Sequence, residues 1–346
     1  MAFLRCFGYK LIRRGGVADA RVFVEDDKDD ELDCTTIKGQ VTRYTSCELK
    51  KFTMNFSTSK LIACGGFSTV YLAEFPNSTL GAVKIMDSSS ERLNRIYKQE
   101  LDILLQIQHD NIVKLLDHCD DAELGNMLVF EYVPNGTLQD KLHGKRDTII
   151  PWRNRMTVAF QLAQAIEYLH DKCPLQIVHS DIKASNILLD KQFNCKLCDF
   201  GSAKMGFSSS VLPPTNRMML GSPGYTDPHY LRTGIASKKN DIYSFGAVTL
   251  ELISGVEAFS SDTGERLISK AAPILNNVSK VAEMVDPSLN GDYELEEAKA
   301  MASLAALCLS DCSSLRPSAS EILEVMRSRI SSISFLCSAD KKVLVY

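Results

Sequence analysis

Two short runs constrain this chain more than anything else in it: His179-Ser180-Asp181-Ile182-Lys183-Ala184-Ser185-Asn186 and, a little later, Asp199-Phe200-Gly201. The first sets a carboxylate, an ammonium and a carboxamide along one short loop, and the second adds another carboxylate. Asp181 can accept a proton from a hydroxyl, and Lys183 can neutralise a transferring phosphoryl group. Asn186 and Asp199 offer oxygen to magnesium, a hard cation. Phosphoryl transfer asks a protein for little covalent chemistry and for much positioning and charge neutralisation.

The bulk numbers narrow the frame. A length of 346 residues suggests one large domain or two smaller ones, and 45% hydrophobic content is enough for a full core. A net charge of -4 gives no reason to expect nucleic-acid binding, which shows as a basic excess. No apolar run approaches the ~18 residues that span a bilayer. Arg5, Lys10, Arg13 and Arg14 interrupt the N-terminus, so no continuous signal-peptide core exists there. A soluble intracellular protein is expected. The 11 cysteines are scattered and odd in number, and read as free thiols. Cys195-Lys196-Leu197-Cys198 has CxxC spacing but no second pair follows it, so two buried strand cysteines outweigh a metal or redox site.

Residues 1–44 stand apart. A basic, partly apolar stretch from Phe3 to Arg14 precedes the acidic run Glu25-Asp26-Asp27-Lys28-Asp29-Asp30-Glu31, which reads as a solvated tail. From Tyr44 the pattern tightens. Leu61–Glu74 reads as strand, glycine turn, strand. Leu80–Met86, Ile112–Leu116 and Met127–Tyr132 read as further strands, and Glu91–Gln108 has helical spacing. Pro134-Asn135-Gly136 breaks the chain. Helices then dominate, over Trp152–Leu169, Asp241–Ser254, Glu296–Leu309 and Ser318–Ile330. A β-rich front and a helix-rich back imply two lobes. From Ser332 the chain reads as a short tail or a helix extension.

With Ile187-Leu188-Leu189 and Cys198 flanking them, the two runs resemble the catalytic loop and magnesium loop of a protein kinase. That resemblance implies an α+β bilobal fold, with a kinase domain over 45–331: an N-lobe at 45–130, a hinge at 131–136 and a C-lobe at 137–331. Residues 332–346 would be a tail. Ile62-Ala63-Cys64-Gly65-Gly66-Phe67-Ser68-Thr69-Val70 resembles the glycine-rich loop, with Ala63, Gly65 and Ser68 at its three glycine positions. Only one of the three is kept, where glycine normally lets backbone N–H groups approach phosphates. Lys84 matches the strand lysine that contacts the α- and β-phosphates, and Glu100 the helix glutamate paired with it. Glu131–Val133 matches the adenine-binding hinge, with Phe130 behind it. Val70, Ala82 and Leu188 match the apolar residues around adenine. On the same footing Asp181 is the base, Asn186 and Asp199 are magnesium ligands, Ser222 can bond both Asp181 and Lys183, and Asp241 anchors the catalytic loop.

Lys183 and the run Gly221-Ser222-Pro223-Gly224-Tyr225 favour the serine/threonine class. Glu131-Tyr132-Val133-Pro134-Asn135-Gly136-Thr137-Leu138, Pro151-Trp152-Arg153-Asn154-Arg155 and Tyr168-Leu169-His170 resemble the plant receptor-like kinase group, here as a cytoplasmic member. The resemblance implies an ATP- and magnesium-dependent enzyme acting on protein Ser/Thr hydroxyls, with an upstream receptor kinase as partner. The alternative is a pseudokinase scaffold with little turnover. Two departures stand out. Ser180 replaces the arginine that usually precedes the catalytic aspartate, making this a non-RD type. His229, in Asp227-Pro228-His229, replaces the glutamate that would pair with Arg316, which is expected to loosen the substrate-docking segment. Cys6, among basic and apolar residues, is a candidate for S-acylation and contact with the inner face of the plasma membrane; a solvated arm is the other reading.

Overall fold

Five antiparallel strands form the first lobe: β1 (Leu61–Cys64), β2 (Ser68–Glu74), β3 (Leu80–Met86), β4 (Leu115–Asp121) and β5 (Gly125–Glu131), in the spatial order β1-β2-β3-β5-β4. The structure, a computed structural model, describes residues 44–121, 123–144, 149–206 and 221–336. The tail before Tyr44, with Cys6 and the acidic run, lies outside the described residues.

One face of the sheet is covered by a short helix, α1 (Ser46–Phe52), which follows a Thr45/Glu48 capping box. Leu49 of α1 is fully buried against Ala73, Phe75, Val83, Met127 and Val129. Tyr44 stacks on Phe75 at 4.9 Å, and Phe52 meets the same ring edge-on at 5.6 Å. The amide of Tyr44 donates to the buried Asp117 carboxylate.

Helix α2 (Glu91–Leu104) lies beside the sheet. Ser90 caps it, and Leu93, Tyr97, Glu100, Ile103 and Leu104 form its buried stripe. Glu100 is the one acid on that stripe, and a carboxylate is seldom buried without a partner. The helix stops at Leu104, short of the expected Gln108, because the chain there turns to meet the second lobe. Gln108 donates its amide to the Tyr168 hydroxyl, and Leu197 exchanges backbone bonds with Asn111 and Val113. For the same reason the apolar run from Ile112 is not yet strand: Ile112 bridges Leu197.

The second lobe is mainly helical: α3 (Leu138–His143), α4 (Trp152–Glu167), α5 (Pro228–Thr233), α6 (Lys238–Ser254), α7 (Leu267–Leu275), α8 (Leu295–Cys308) and α9 (Ala319–Arg329). Every residue of α6 from Asn240 to Ser254 is buried, so this helix is the axis on which the others pack. Two short antiparallel strand pairs carry the loops of interest. β6 (Ile177–Val178) pairs with β9 (Lys204–Met205), and β7 (Ile187–Leu189) pairs with β8 (Cys195–Leu197). Among the described residues no helix is long and apolar enough to cross a membrane.

Candidate active site

The loop between β6 and β7 holds the first run, and its shape is imposed from α6. Asp241, 1% exposed, accepts the amides of His179 and Ser180, each at 2.8 Å, and the His170 ring at 2.8 Å. Ser180 sits at φ +67°, a left-handed conformation that costs a non-glycine residue energy. The Asp241 carboxylate holds it there. The buried His179 ring accepts from the Asp181 amide through Nδ1 at 3.3 Å and donates from Nε2 to the Cys198 carbonyl at 3.1 Å. One imidazole thereby ties the first run to the second.

Asp181 is the meeting point of the loop. Lys183 Nζ is 2.8 Å from its Oδ2, and the Ser222 hydroxyl donates to its Oδ1 at 2.8 Å. Lys183 also donates to Ser222 Oγ at 3.0 Å. The Asn186 carboxamide nitrogen donates to the Asp181 carbonyl at 2.9 Å, which leaves Asn186 Oδ1 as an oxygen donor for a cation. The segment carrying Ser222 is pressed close to the lobe. Gly224 has φ +87°, and a Cβ there would lie 2.6 Å from the Ala258 carbonyl oxygen.

The second cluster forms between lobes. Lys84 on β3 reaches Glu100 on α2 at 2.8 Å and Asp199 at 3.0 Å. Burial alone would lower the Lys84 pKa, but the two carboxylates more than offset it and the ammonium is held protonated. The same ammonium pulls Asp199 down to about 2. Burial pushes Glu100 upward against that pull. Asp199, like Ser180, is left-handed, at φ +65°. Phe200 is fully buried and meets His179 edge-on at 4.8 Å.

The glycine-rich turn joins β1 to β2, closed by the Gly65 amide on the Ser68 carbonyl at 2.8 Å. Ala63 pairs with Val70 and Cys64 with Thr69, so of the nominal loop only Gly65, Gly66 and Phe67 lie outside the strands. Ile62 and Phe67 are exposed. A Cβ on Gly66 would meet nothing within 4 Å, so that glycine answers no need of the fold. In the sheet, Val70 lies opposite Lys84, and Ala82 opposite Phe130. Leu188, in β7, pairs with Lys196 and bridges Thr137 just after the hinge. Val133 is buried at the hinge.

Several side-chain contacts around the site escaped the sequence reading. The Glu131 side chain accepts the Lys114 amide at 2.9 Å and pairs with Lys196 at 2.8 Å, tying the hinge to β8. Glu251, buried in α6, takes the Tyr225 hydroxyl at 2.9 Å, the His143 ring at 3.0 Å and the Ala258 amide at 3.1 Å. The largest correction concerns Arg316. His229 does not leave it unpaired, because Asp227 takes the place of the missing glutamate. Nη1–Oδ2 is 2.6 Å and Nη2–Oδ1 is 2.8 Å, with both side chains almost wholly buried. The docking segment is therefore anchored, by a residue two positions earlier. Cys195 is fully buried and Cys198 half-buried against the same core, and burial pushes the Cys198 thiol up to about 12; no metal-binding cluster of three or more occurs among the described residues.

The alternative of a pseudokinase scaffold with little turnover is not supported: Lys84, Glu100, Asp181, Lys183, Asn186 and Asp199 are all present in connected clusters. A family model described as the protein kinase domain matches residues 56–326. A probable receptor-like protein kinase of Arabidopsis thaliana is 51% identical over 313 residues, 86% of this chain and 91% of that one. Salt tolerance receptor-like cytoplasmic kinase 1 of Oryza sativa subsp. japonica is 44% identical over 340 residues, 95% of this chain and 93% of its own. Proline-rich receptor-like protein kinase PERK2 of Arabidopsis thaliana is 35% identical over 82% of this chain but 40% of its own length. The chain belongs to the protein kinase domain family, in its plant receptor-like group, and is a serine/threonine protein kinase.

Proposed function

We propose that Asp181 orients the acceptor Ser or Thr hydroxyl and accepts its proton as the oxygen attacks the γ-phosphorus of ATP and ADP departs. Lys183 neutralises the charge that builds on the transferring group, and Ser222 holds both side chains in place. Lys84, fixed by Glu100, meets the α- and β-phosphates, while Ile62–Ser68, Val70, Ala82, Glu131, Val133 and Leu188 enclose the nucleotide. Asn186 and Asp199 fit a magnesium ion: both offer oxygen, and the Asp199 carboxylate is ionised and 46% exposed. The ion, when bound, neutralises phosphate charge. The observation that carries this reading is the convergence of Lys183 and Ser222 on Asp181. Purified protein with ATP and magnesium should autophosphorylate, and Asp181→Asn and Lys84→Met should abolish the signal. Equal signal in all three would refute catalysis by this site.

Ser180 carries a second part of the proposal. An arginine there awaits an activation-loop phosphate to neutralise it; Ser180 has no charge to neutralise. Loop phosphorylation is then not an obligatory switch. The loop hydroxyls at 208–210 and 215 lie outside the described residues, but replacing every Ser and Thr from 202 to 226 except Ser222 should leave substantial activity. Complete loss would sink this part. The substrates are proteins, an upstream receptor kinase is the proposed partner, and the N-terminal arm is the proposed contact with the inner face of the plasma membrane. A reporter carrying residues 1–21 that stays diffuse in cells, with Cys6→Ser behaving identically, would end the membrane proposal.

A further inference from the structure

The chain does not leave the second lobe where the family match ends at residue 326. After α9 it turns back across the lobe through residues 331–336. Ile330 and Ile333 are buried, Leu336 packs on the main core, and the Arg153 guanidinium lies 4.3 Å from the Phe335 ring. Four hydrogen bonds converge on one carboxylate beneath this segment, Glu297 of α8, which is 3% exposed. Its Oε1 accepts the Ser331 hydroxyl at 2.7 Å and the Ser332 amide at 2.8 Å. Its Oε2 accepts the Ser332 hydroxyl at 2.7 Å and the Trp152 indole at 2.8 Å. Burial pushes the Glu297 pKa up, but these donors outweigh it and hold the group below its ordinary value.

We infer that Ser331 and Ser332 form a phosphate-sensitive latch, in which a phosphoryl group on either hydroxyl releases residues 331–336 from the second lobe. In the modifying step a serine Oγ bonds to the γ-phosphorus of ATP, the bond from that phosphorus to the β,γ-bridging oxygen breaks, and ADP leaves. The hydroxyl proton passes to the base of the kinase that performs the step. That proton is the one Glu297 was accepting. Its loss turns a donor into an ester oxygen, and the added group brings a charge of about −1.5 to −2 against a buried carboxylate. Separation lets water solvate both charges. Ser331 is exposed and Ser332 half-buried, both just beyond a helix end, where local opening is easiest. Arg327 and Arg329 precede them, a basic context that an acidic substrate cleft would favour.

The test uses the full chain with phosphoserine encoded at position 332, compared with the unmodified chain and with Ser332→Ala. Hydrogen–deuterium exchange of residues 331–336 is read, with the amides of α6 as a control for global folding. The phosphoserine chain should exchange there about tenfold faster or more, and clearly faster than Ser332→Ala, which loses one hydroxyl bond without adding charge. In a Glu297→Gln background the phosphoserine effect should shrink, because a carboxamide can donate to phosphate and carries no like charge. Protection equal to that of the unmodified chain would overturn the inference, and would mean that Arg153 or Arg329 captures the phosphate in place. Acceleration no greater than with Ser332→Ala, or unchanged by Glu297→Gln, would overturn it equally.

Discussion

Replacing Asp227 by Ala should be among the costliest single changes in the second lobe, although Asp227 touches no reacting atom. Its carboxylate makes both bonds of a bidentate pair with Arg316, and the two side chains are 1% and 0% exposed. Removing one partner of a buried pair costs about 3–5 kcal/mol, because the other charge is left buried. Arg316 keeps the Ser310 and Lys239 carbonyls at 2.9 Å each and the Tyr243 ring at 5.0 Å, so its charge would be partly hydrogen-bonded still and the lower end applies. Asp227 also caps α5, accepting the His229 amide at 2.8 Å, a contribution of about 1 kcal/mol. A total near 4 kcal/mol is about a thousandfold in an opening equilibrium. Asp227→Asn keeps an acceptor for the cap and one for Arg316, and should cost about half as much. His229→Glu, which restores the family residue, should stay within about 0.5 kcal/mol because Arg316 is already paired. The assay is the opening free energy of the amides in 226–233 by hydrogen exchange, since a two-lobed chain need not unfold in one step. A double-mutant cycle with Arg316→Met isolates the pair. Additive losses in the cycle, or a cost for Asp227→Ala no larger than that of a surface substitution, would refute the pairing as the anchor.

Other expectations follow from burial and charge. Leu49→Ala should destabilise the first lobe by about 2–4 kcal/mol, read as a lower denaturation midpoint, because Leu49 is fully buried beneath α1; a neutral result would mean that α1 is a surface ornament. With its pKa near 12, the Cys198 thiol should resist iodoacetamide at pH 8 in the folded protein, as should Cys195, while the exposed Cys47 and Cys64 are labelled. Labelling of all four at one rate would contradict the buried placement. Lys84→Met should raise the Asp199 pKa from about 2, because it removes the largest charge that lowers it and leaves burial opposed only by the weaker pull of His179 and Lys183. Carbon-13 titration of the aspartate carboxyl reads this directly, and an unmoved value would separate Asp199 from Lys84.

What was legible in the sequence shares one property: the information was local. Asp181, Lys183 and Asn186 lie within one loop, whereas Glu100 was picked out only through the resemblance, since a helix glutamate on its own reads as solvated. Strand β3 was readable over its whole length, Leu80–Met86, because its punctuation is contiguous with it. What was not legible depends on a partner far away in the chain. Helix α1 has only seven residues, and its burial comes from Phe75 and the β-sheet rather than from its own periodicity. The run from Ile112 has strand composition, yet Leu197 of the other lobe claims its backbone first. Asp227 shows the limit most sharply. Motif comparison fixes attention on position 229, where a histidine cannot form a salt bridge with an arginine. The requirement, however, belongs to Arg316, a buried guanidinium that must find a carboxylate from whichever neighbour can reach it. The start of α5 turns the residue at 227 inward, so the carboxylate comes from there. A buried charge constrains the space around it, and a lost motif residue signals a lost interaction only when no other residue fills that space.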